Sequence, residues 1–92
     1  MKEKLRVREF EALFKALANK RRIGIILCLK KKRSRSVGDI AEEIKLSFKA
    51  TSKHLIILLR AGFIEREQIG LMMIYRLHDS DPYISKLLKF LS

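Results

Sequence analysis

Ser47-Phe48-Lys49-Ala50-Thr51-Ser52-Lys53-His54-Leu55 is the stretch around which the rest of the chain is arranged. Ser47 is a good helix N-cap, because its hydroxyl can accept a hydrogen bond from an amide left open in the first turn. Lys49 falls in that turn, with Ser52 and Lys53 one turn later, so two cations and a hydroxyl project near the helix start. Thr51, Leu55, Leu58 and Gly62 recur at spacings of three and four, the period of a buried stripe. A helix that is apolar on its core side, and small, polar and cationic over its N-terminal half, suits the major groove of DNA. An ordinary amphipathic helix with solvated lysines has the same pattern. The neighbouring segments decide between the two.

Just upstream, Lys45-Leu46-Ser47 reads as a short turn. Before it, Ser36-Val37-Gly38-Asp39 resembles a capping box, with Asp39 in place of the usual Glu or Gln. The helix opened there carries Val37, Ile40, Ala41 and Ile44 on one face and Asp39, Glu42 and Glu43 elsewhere. A short helix, a tight turn and a cationic second helix make a helix-turn-helix. Downstream, Gly62 closes the second helix as a C-cap glycine. Phe63–Gln68 and Met72–Leu77 then read as two strands joined through Ile69-Gly70-Leu71, where Gly70 supplies a backbone angle that other residues resist. A hairpin placed directly after such a helix is the wing of a winged helix.

Further out, Leu5–Ala18 reads as a first helix, with Phe10, Leu13, Phe14 and Leu17 at the helical period. Asn19 caps a second helix, expected to run from Lys20 to about Leu29 on a core stripe of Ile23, Ile26 and Leu27. Gly24 weakens that helix slightly and would permit close packing. Lys30-Lys31-Lys32-Arg33-Ser34-Arg35 is the densest charge run, expected as a solvated loop in preference to a dedicated binding arm, and even as a loop it would add non-specific attraction to phosphate. Asp81-Pro82 is a strong helix start, and Ile84, Leu87, Leu88 and Leu91 give the last helix an apolar stripe. The expected fold is mainly α with a small β-hairpin (α+β), a winged helix-turn-helix spanning residues 1–92 as one domain.

Composition narrows the partners. Twenty-one Lys and Arg against ten Asp and Glu leave a net charge of +11 on 92 residues. An excess of that size favours an anionic partner, nucleic acid or an acidic membrane surface. The hydrophobic fraction of 48% argues for a folded chain and not a disordered basic tail. No apolar run approaches the roughly 20 residues that would span a bilayer, and no apolar segment follows the basic Met1-Lys2-Glu3-Lys4 as a signal peptide requires. The lone Cys28 cannot form an intrachain disulfide, which fits a reducing cytoplasm. Set among Ile and Leu, it reads as a buried thiol, although Lys30–Lys32 nearby would favour a thiolate. His54, His78 and Cys28 match no zinc-binding spacing, and Met72 and Met73 read as packing residues. No nucleophile–base pair and no glycine-rich phosphate loop is present, so neither an enzyme, a metal nor a cofactor is expected.

Three stretches resemble the small winged-helix repressors of the arsenic-repressor (ArsR) family. Leu13-Phe14-Lys15-Ala16-Leu17-Ala18-Asn19-Lys20-Arg21-Arg22 is similar to the family's opening, where an arginine follows a capped turn. Ser52-Lys53-His54-Leu55, followed by Leu58, Ala61, Gly62, Phe63 and Ile64, resembles its Ser-x-His-Leu recognition helix running into an apolar strand. Gly70 with Ile74-Tyr75-Arg76-Leu77 resembles its wing and returning strand. The resemblance covers Leu13 to Leu77 and implies a dimeric DNA-binding transcription regulator whose first and last helices supply the interface. Phe10, Phe14, Ile84, Leu87, Leu88 and Leu91 are the candidates there. Three departures stand out. Metal-sensing members carry cysteines where this chain has Ser34-Arg35-Ser36-Val37-Gly38-Asp39; the wing tip, Gln68 to Met72, is uncharged; and Ile56 and Leu59 fall where the family tends to be polar.

The expected function is therefore a cytoplasmic homodimeric regulator, and more specifically a repressor, that binds a pseudo-palindromic duplex operator. Phe48, Lys49, Ala50, Ser52 and Lys53 would face the groove, with Lys49 and Lys53 able to reach guanine edges or phosphate. Arg22, Arg66 and Arg76, with Lys20 and Arg21, are candidates for phosphate contacts that position without specifying. One rival reading is a protein-interaction winged helix using the uncharged wing tip and Ile56/Leu59, for which an additional protein partner is required. The other places the basic first helix on anionic lipid; Glu3, Glu9 and Glu11 in that segment argue against it, and no membrane partner is expected.

Overall fold

A computed structural model describes residues 2–91, with side-chain surroundings from residue 6 onward. The elements in order are α1 (Lys2–Leu17), α2 (Lys20–Lys32), β1 (Ser34–Ser36), α3 (Val37–Ile44), α4 (Phe48–Ala61), β2 (Ile64–Ile69), β3 (Met72–Leu77) and α5 (Pro82–Phe90). Each helix after the first starts at a side-chain cap. Asn19 Oδ1 accepts from the amides of Arg21 and Arg22 at 2.9 and 3.1 Å. Ser36 Oγ accepts from Asp39 N at 3.2 Å, the serine half of the expected capping box. Ser47 Oγ accepts from Ala50 N at 3.1 Å, and Asp81 Oδ1 from Tyr83 N at 2.8 Å with Pro82 at the first helical position. Each bond satisfies an amide that the helix itself leaves open.

Two helices end on the same backbone device. After α4, Gly62 turns to φ 86°, its amide donating to Leu59 O while Phe63 N donates to Leu58 O. After α3, Lys45 turns to φ 56°, its amide donating to Glu42 O while Leu46 N donates to Ala41 O. Both are Schellman caps, in which a left-handed residue redirects the chain and the last carbonyls are satisfied. At Gly62 the conformation costs no steric strain; at Lys45, inside the turn of the helix-turn-helix, a Cβ has to be accommodated.

The basic run corrects the sequence reading. Lys30, Lys31 and Lys32 form the last turn of α2, three residues beyond the expected end, and the expected loop is helix followed by strand. Lysine is a good helix former, and cations at a helix C-terminus oppose the negative end of its dipole. Arg33, at φ 65°, breaks the helix, and Ser34–Ser36 then pairs antiparallel with β3. The hairpin is thus a three-stranded sheet in the order β1-β3-β2, with Ser34 opposite Arg76, Arg35 opposite Tyr75, and Glu65 opposite Arg76 on the other side.

The core draws on all five helices and two strands of the sheet. Leu13 and Ala16 from α1, Ile25, Ile26 and Leu29 from α2, Ile40 from α3, and Leu55 and Leu58 from α4 pack with Phe63, Tyr75, Leu77, Ile84 and Leu88. The stripe of α2 is rotated from the expected one: Leu27 faces out, while Ile25, Cys28 and Leu29 are buried with Ile26. Nor is Gly24 there for close packing, since a Cβ at that position would lie 3.8 Å from Ile44 Cγ2, an ordinary contact.

Candidate nucleic-acid interface

α4 is held from below by Thr51, Leu55 and Leu58, all buried, and its upper face is left to solvent. At the capped N-terminus Phe48 is 63% exposed, Lys49 and Lys53 are exposed, and Ala50 and Ser52 are half-buried. These five expected groove-facing residues therefore come together on one end of one helix. Lys49 and Lys53 carry no ion pair among the described residues, so their charge is available to an anion. The first-turn amides of α4 add a positive dipole end in the same place.

The three candidate phosphate arginines are placed differently from one another. Arg66 lies exposed on β2, opposite Tyr75, with no ion pair among the described residues. Arg76 is clamped on the outer face of the wing, donating to Glu65 Oε1 at 3.2 Å and to Glu67 Oε1 at 3.0 Å. Those two carboxylates stabilise its charged form and offset the charge it would bring to phosphate. Arg22 is turned inward. Its Nε donates to Ala16 O at 2.6 Å, one terminal nitrogen donates to Lys15 O at 3.3 Å, and the other meets His54 Nδ1 at 3.2 Å. Arg22 is thus a joint between α1, α2 and α4, and the expected phosphate role does not match its surroundings. Arg21 likewise donates to Ile44 O at the end of α3.

Sequence alone gives His54 no more than packing and hydrogen bonding, and its tie to Arg22 crosses 32 residues that no local pattern connects. Burial, then the charges of Arg22 and Arg21, hold its pKa below the usual 6.5. Cys28 is buried, and burial together with the Glu43 carboxylate raises its thiol above the ordinary value, outweighing Arg35 and Lys31. The lysines expected to favour a thiolate there do not prevail. Among the described residues no group of three or more His, Cys, Asp or Glu side chains could hold a metal ion.

The terminal helices correct two further expectations. Ile84 and Leu88, expected at a dimer interface, are only 2% and 6% exposed, because they pack into the protomer's own core. Leu87, Leu91 and Phe10 are partly buried against that core, and Phe10 also meets Tyr83 edge-on at 5.2 Å. Phe14, at 57% exposed, is the one of the six that presents most of its surface outward, joined on these helices by Val7 and Phe90. Of the pair Ile56/Leu59, Ile56 is exposed while Leu59 packs against the core, so they do not make one surface patch. Ile69, Leu71 and Met72 do project at the wing tip. No helix among the described residues is long and apolar enough to cross a membrane.

A helix-turn-helix at α3–α4, seated on α1 and α2 and flanked by a sheet that carries the β2–β3 wing, defines a winged helix-turn-helix DNA-binding protein. The chain belongs to the arsR family of bacterial regulatory proteins, whose profile matches residues 19–66, and is a DNA-binding transcriptional regulator, not an enzyme. It is 35% identical over 75 residues to the arsenical resistance operon repressor of Bacillus subtilis (strain 168), covering 82% of this chain and 71% of that protein. It is also 35% identical over 69 residues to the transcriptional activator HlyU of Vibrio cholerae serotype O1 (strain ATCC 39315 / El Tor Inaba N16961), covering 75% of this chain and 63% of the activator. Among solved structures, a homodimeric winged helix-turn-helix DNA-binding domain from Mycobacterium bovis superposes with a TM-score of 0.85 at 25% identity. That match covers 97% of this chain and 80% of that one.

Proposed function

We propose that this regulator binds a pseudo-palindromic duplex operator as a homodimer and acts as a repressor. The N-terminal half of α4 enters the major groove, and the β2–β3 wing lies on the backbone. One observation carries the reading: Phe48, Lys49, Ala50, Ser52 and Lys53 share the outward end of a helix whose opposite face is fixed in the core. Lys49 and Lys53 can reach base edges or phosphate, Phe48 or Ala50 can meet a thymine methyl, and Arg66 is the wing's open cation. Dimerisation through the terminal helices is supported by the outward Phe14, Val7 and Phe90, and by the homodimeric relative. Two-fold symmetry would set the recognition helices about 34 Å apart, one turn of DNA. Repression is supported by the Bacillus relative, while the Vibrio relative is an activator.

Selection of bound sequences from randomised duplex DNA tests the whole reading. The expected product is a site with two inverted half-sites bound by two copies of the chain. Recovery of no preferred duplex, or of one half-site bound by one copy, overturns it.

A further inference from the structure

Arg22 and His54 lie 32 residues apart in sequence, yet their contact is part of a three-way tie. The guanidinium takes the last-turn carbonyls of α1, Lys15 O and Ala16 O, on one side and the His54 ring on the other. His54 lies on α4 between Lys53, one of the groove-facing cations, and Leu55, which is buried. The tie therefore runs from the end of α1 to the helix that carries the recognition surface. An arginine has no acceptor atoms, so its contact with Nδ1 is a hydrogen bond only when that nitrogen is unprotonated. The bond thus specifies the neutral tautomer with its proton on Nε2.

Resting on the DNA-binding reading above, we propose that Arg22 and His54 form a positioning clamp for operator recognition. The guanidinium holds the recognition helix to the end of α1, and a proton arriving on His54 Nδ1 breaks the hold and weakens operator binding. The proton comes from solvent and stays on the ring, leaving an imidazolium against a guanidinium with no hydrogen bond between them.

The groups around the ring make this change one-sided. From α2 it is faced by Arg22 in contact and by Arg21, both cationic. From α1, the tie presents backbone carbonyls, while the Lys15 amine is turned to Glu11 at 3.7 Å. On α3, Asp39 and Glu43 pair with Arg35; on β2, Glu65 and Glu67 pair with Arg76. No carboxylate among the described residues acts on the ring to stabilise its charged form. Two cations and partial burial leave it neutral near pH 7, and it takes its proton only as the pH falls below 6.5.

The test compares the full chain with His54→Asn and Arg22→Lys on a duplex selected from random sequence. Asparagine places an oxygen acceptor near the position of Nδ1 but does not titrate, so it keeps the bond to Arg22 at every pH. Wild-type affinity should fall severalfold between about pH 7.5 and pH 5.5, while His54→Asn binds like wild type at the upper pH and stays within about twofold across the range. Arg22→Lys keeps the charge but loses the fork, so it should weaken operator binding at about pH 7.5, approach the wild-type level at about pH 5.5, and leave the salt slope unchanged. Circular dichroism across the range checks that each variant remains folded. A flat wild-type profile, a rising one, or an equal fall in His54→Asn overturns the clamp. Absence of any preferred duplex near pH 7.5 instead overturns the DNA-binding reading itself.

Discussion

Thr51 sits fully buried on the core side of the recognition helix, and among the described residues its Oγ1 has no hydrogen-bond partner. A buried hydroxyl without a partner forfeits its hydration and gains nothing in return. Valine has nearly the same shape and the same branching at Cβ, so it removes the unsatisfied oxygen without opening a cavity. Thr51→Val is expected to raise stability by about 1 kcal/mol, seen as a melting temperature roughly 4–8 °C higher for a domain of this size. Operator affinity should not change, because Thr51 faces the core. A lower melting temperature would mean that the hydroxyl has a partner after all. Lys45 presents the opposite kind of cost, in the backbone. Held at φ 56° and ψ 51°, it occupies a region that glycine enters without strain. Lys45→Gly should therefore stabilise the chain by several tenths to about 1 kcal/mol, the glycine's greater unfolded-state freedom offsetting part of the gain. Urea unfolding should show a higher midpoint with an unchanged slope. A lower midpoint would place the lysine side chain in a stabilising contact.

At the scale of elements, helix and wing would divide the work in the proposed complex. Lys49 stands in the first turn of α4, from which a side chain would reach base edges; Arg66 stands on a wing strand, which would lie nearer phosphate. Lys49→Ala is expected to cost about 1–3 kcal/mol of operator binding and to relax preference at one position of each half-site. Arg66→Ala should weaken all sequences alike and flatten the salt slope by about one unit for each phosphate no longer neutralised. If Lys49→Ala is silent while replacement of residues 69–72 by Gly-Ser abolishes binding, the wing is the primary reader. These elements are legible in the sequence because their signals are local. Asn19, Ser36, Ser47 and Asp81-Pro82 announce starts, Gly62 an end, and Gly70 a hairpin turn. β1 is not legible, since Ser-Arg-Ser has no strand signature and its pairing with β3 is a long-range event. Charge likewise does not show that Arg22 and Arg76 are engaged within the protein while Arg66 is open. Periodicity marks an apolar stripe but not what covers it. Ile84 and Leu88 therefore read as interface residues when they are core.

For the whole molecule, the outward face of α1 is one apolar surface left uncovered among the described residues. Phe14 there is more than half exposed, with Val7 beside it on the same helix. Phe14→Glu should leave the fold intact, as little of the side chain is buried, but shift the protein from dimer to monomer in sedimentation at micromolar concentration. It should weaken binding to a two-half-site operator far more than to a single half-site. A Phe14→Glu protein that stays dimeric would move the interface elsewhere. The short β1 strand has a consequence for the order in which the protein can come into being. Read along the chain, the helix-turn-helix is complete at Ala61, yet the strand leading into it pairs only with residues 74–76. During synthesis from the N-terminus, α3 and α4 therefore emerge well before that strand has a neighbour. A nascent chain stopped at residue 71 would hold both helices of the reader and lack the edge that anchors the first of them. The DNA-reading unit is thus finished only when the wing is finished, so a half-made protein has no complete apparatus with which to occupy an operator.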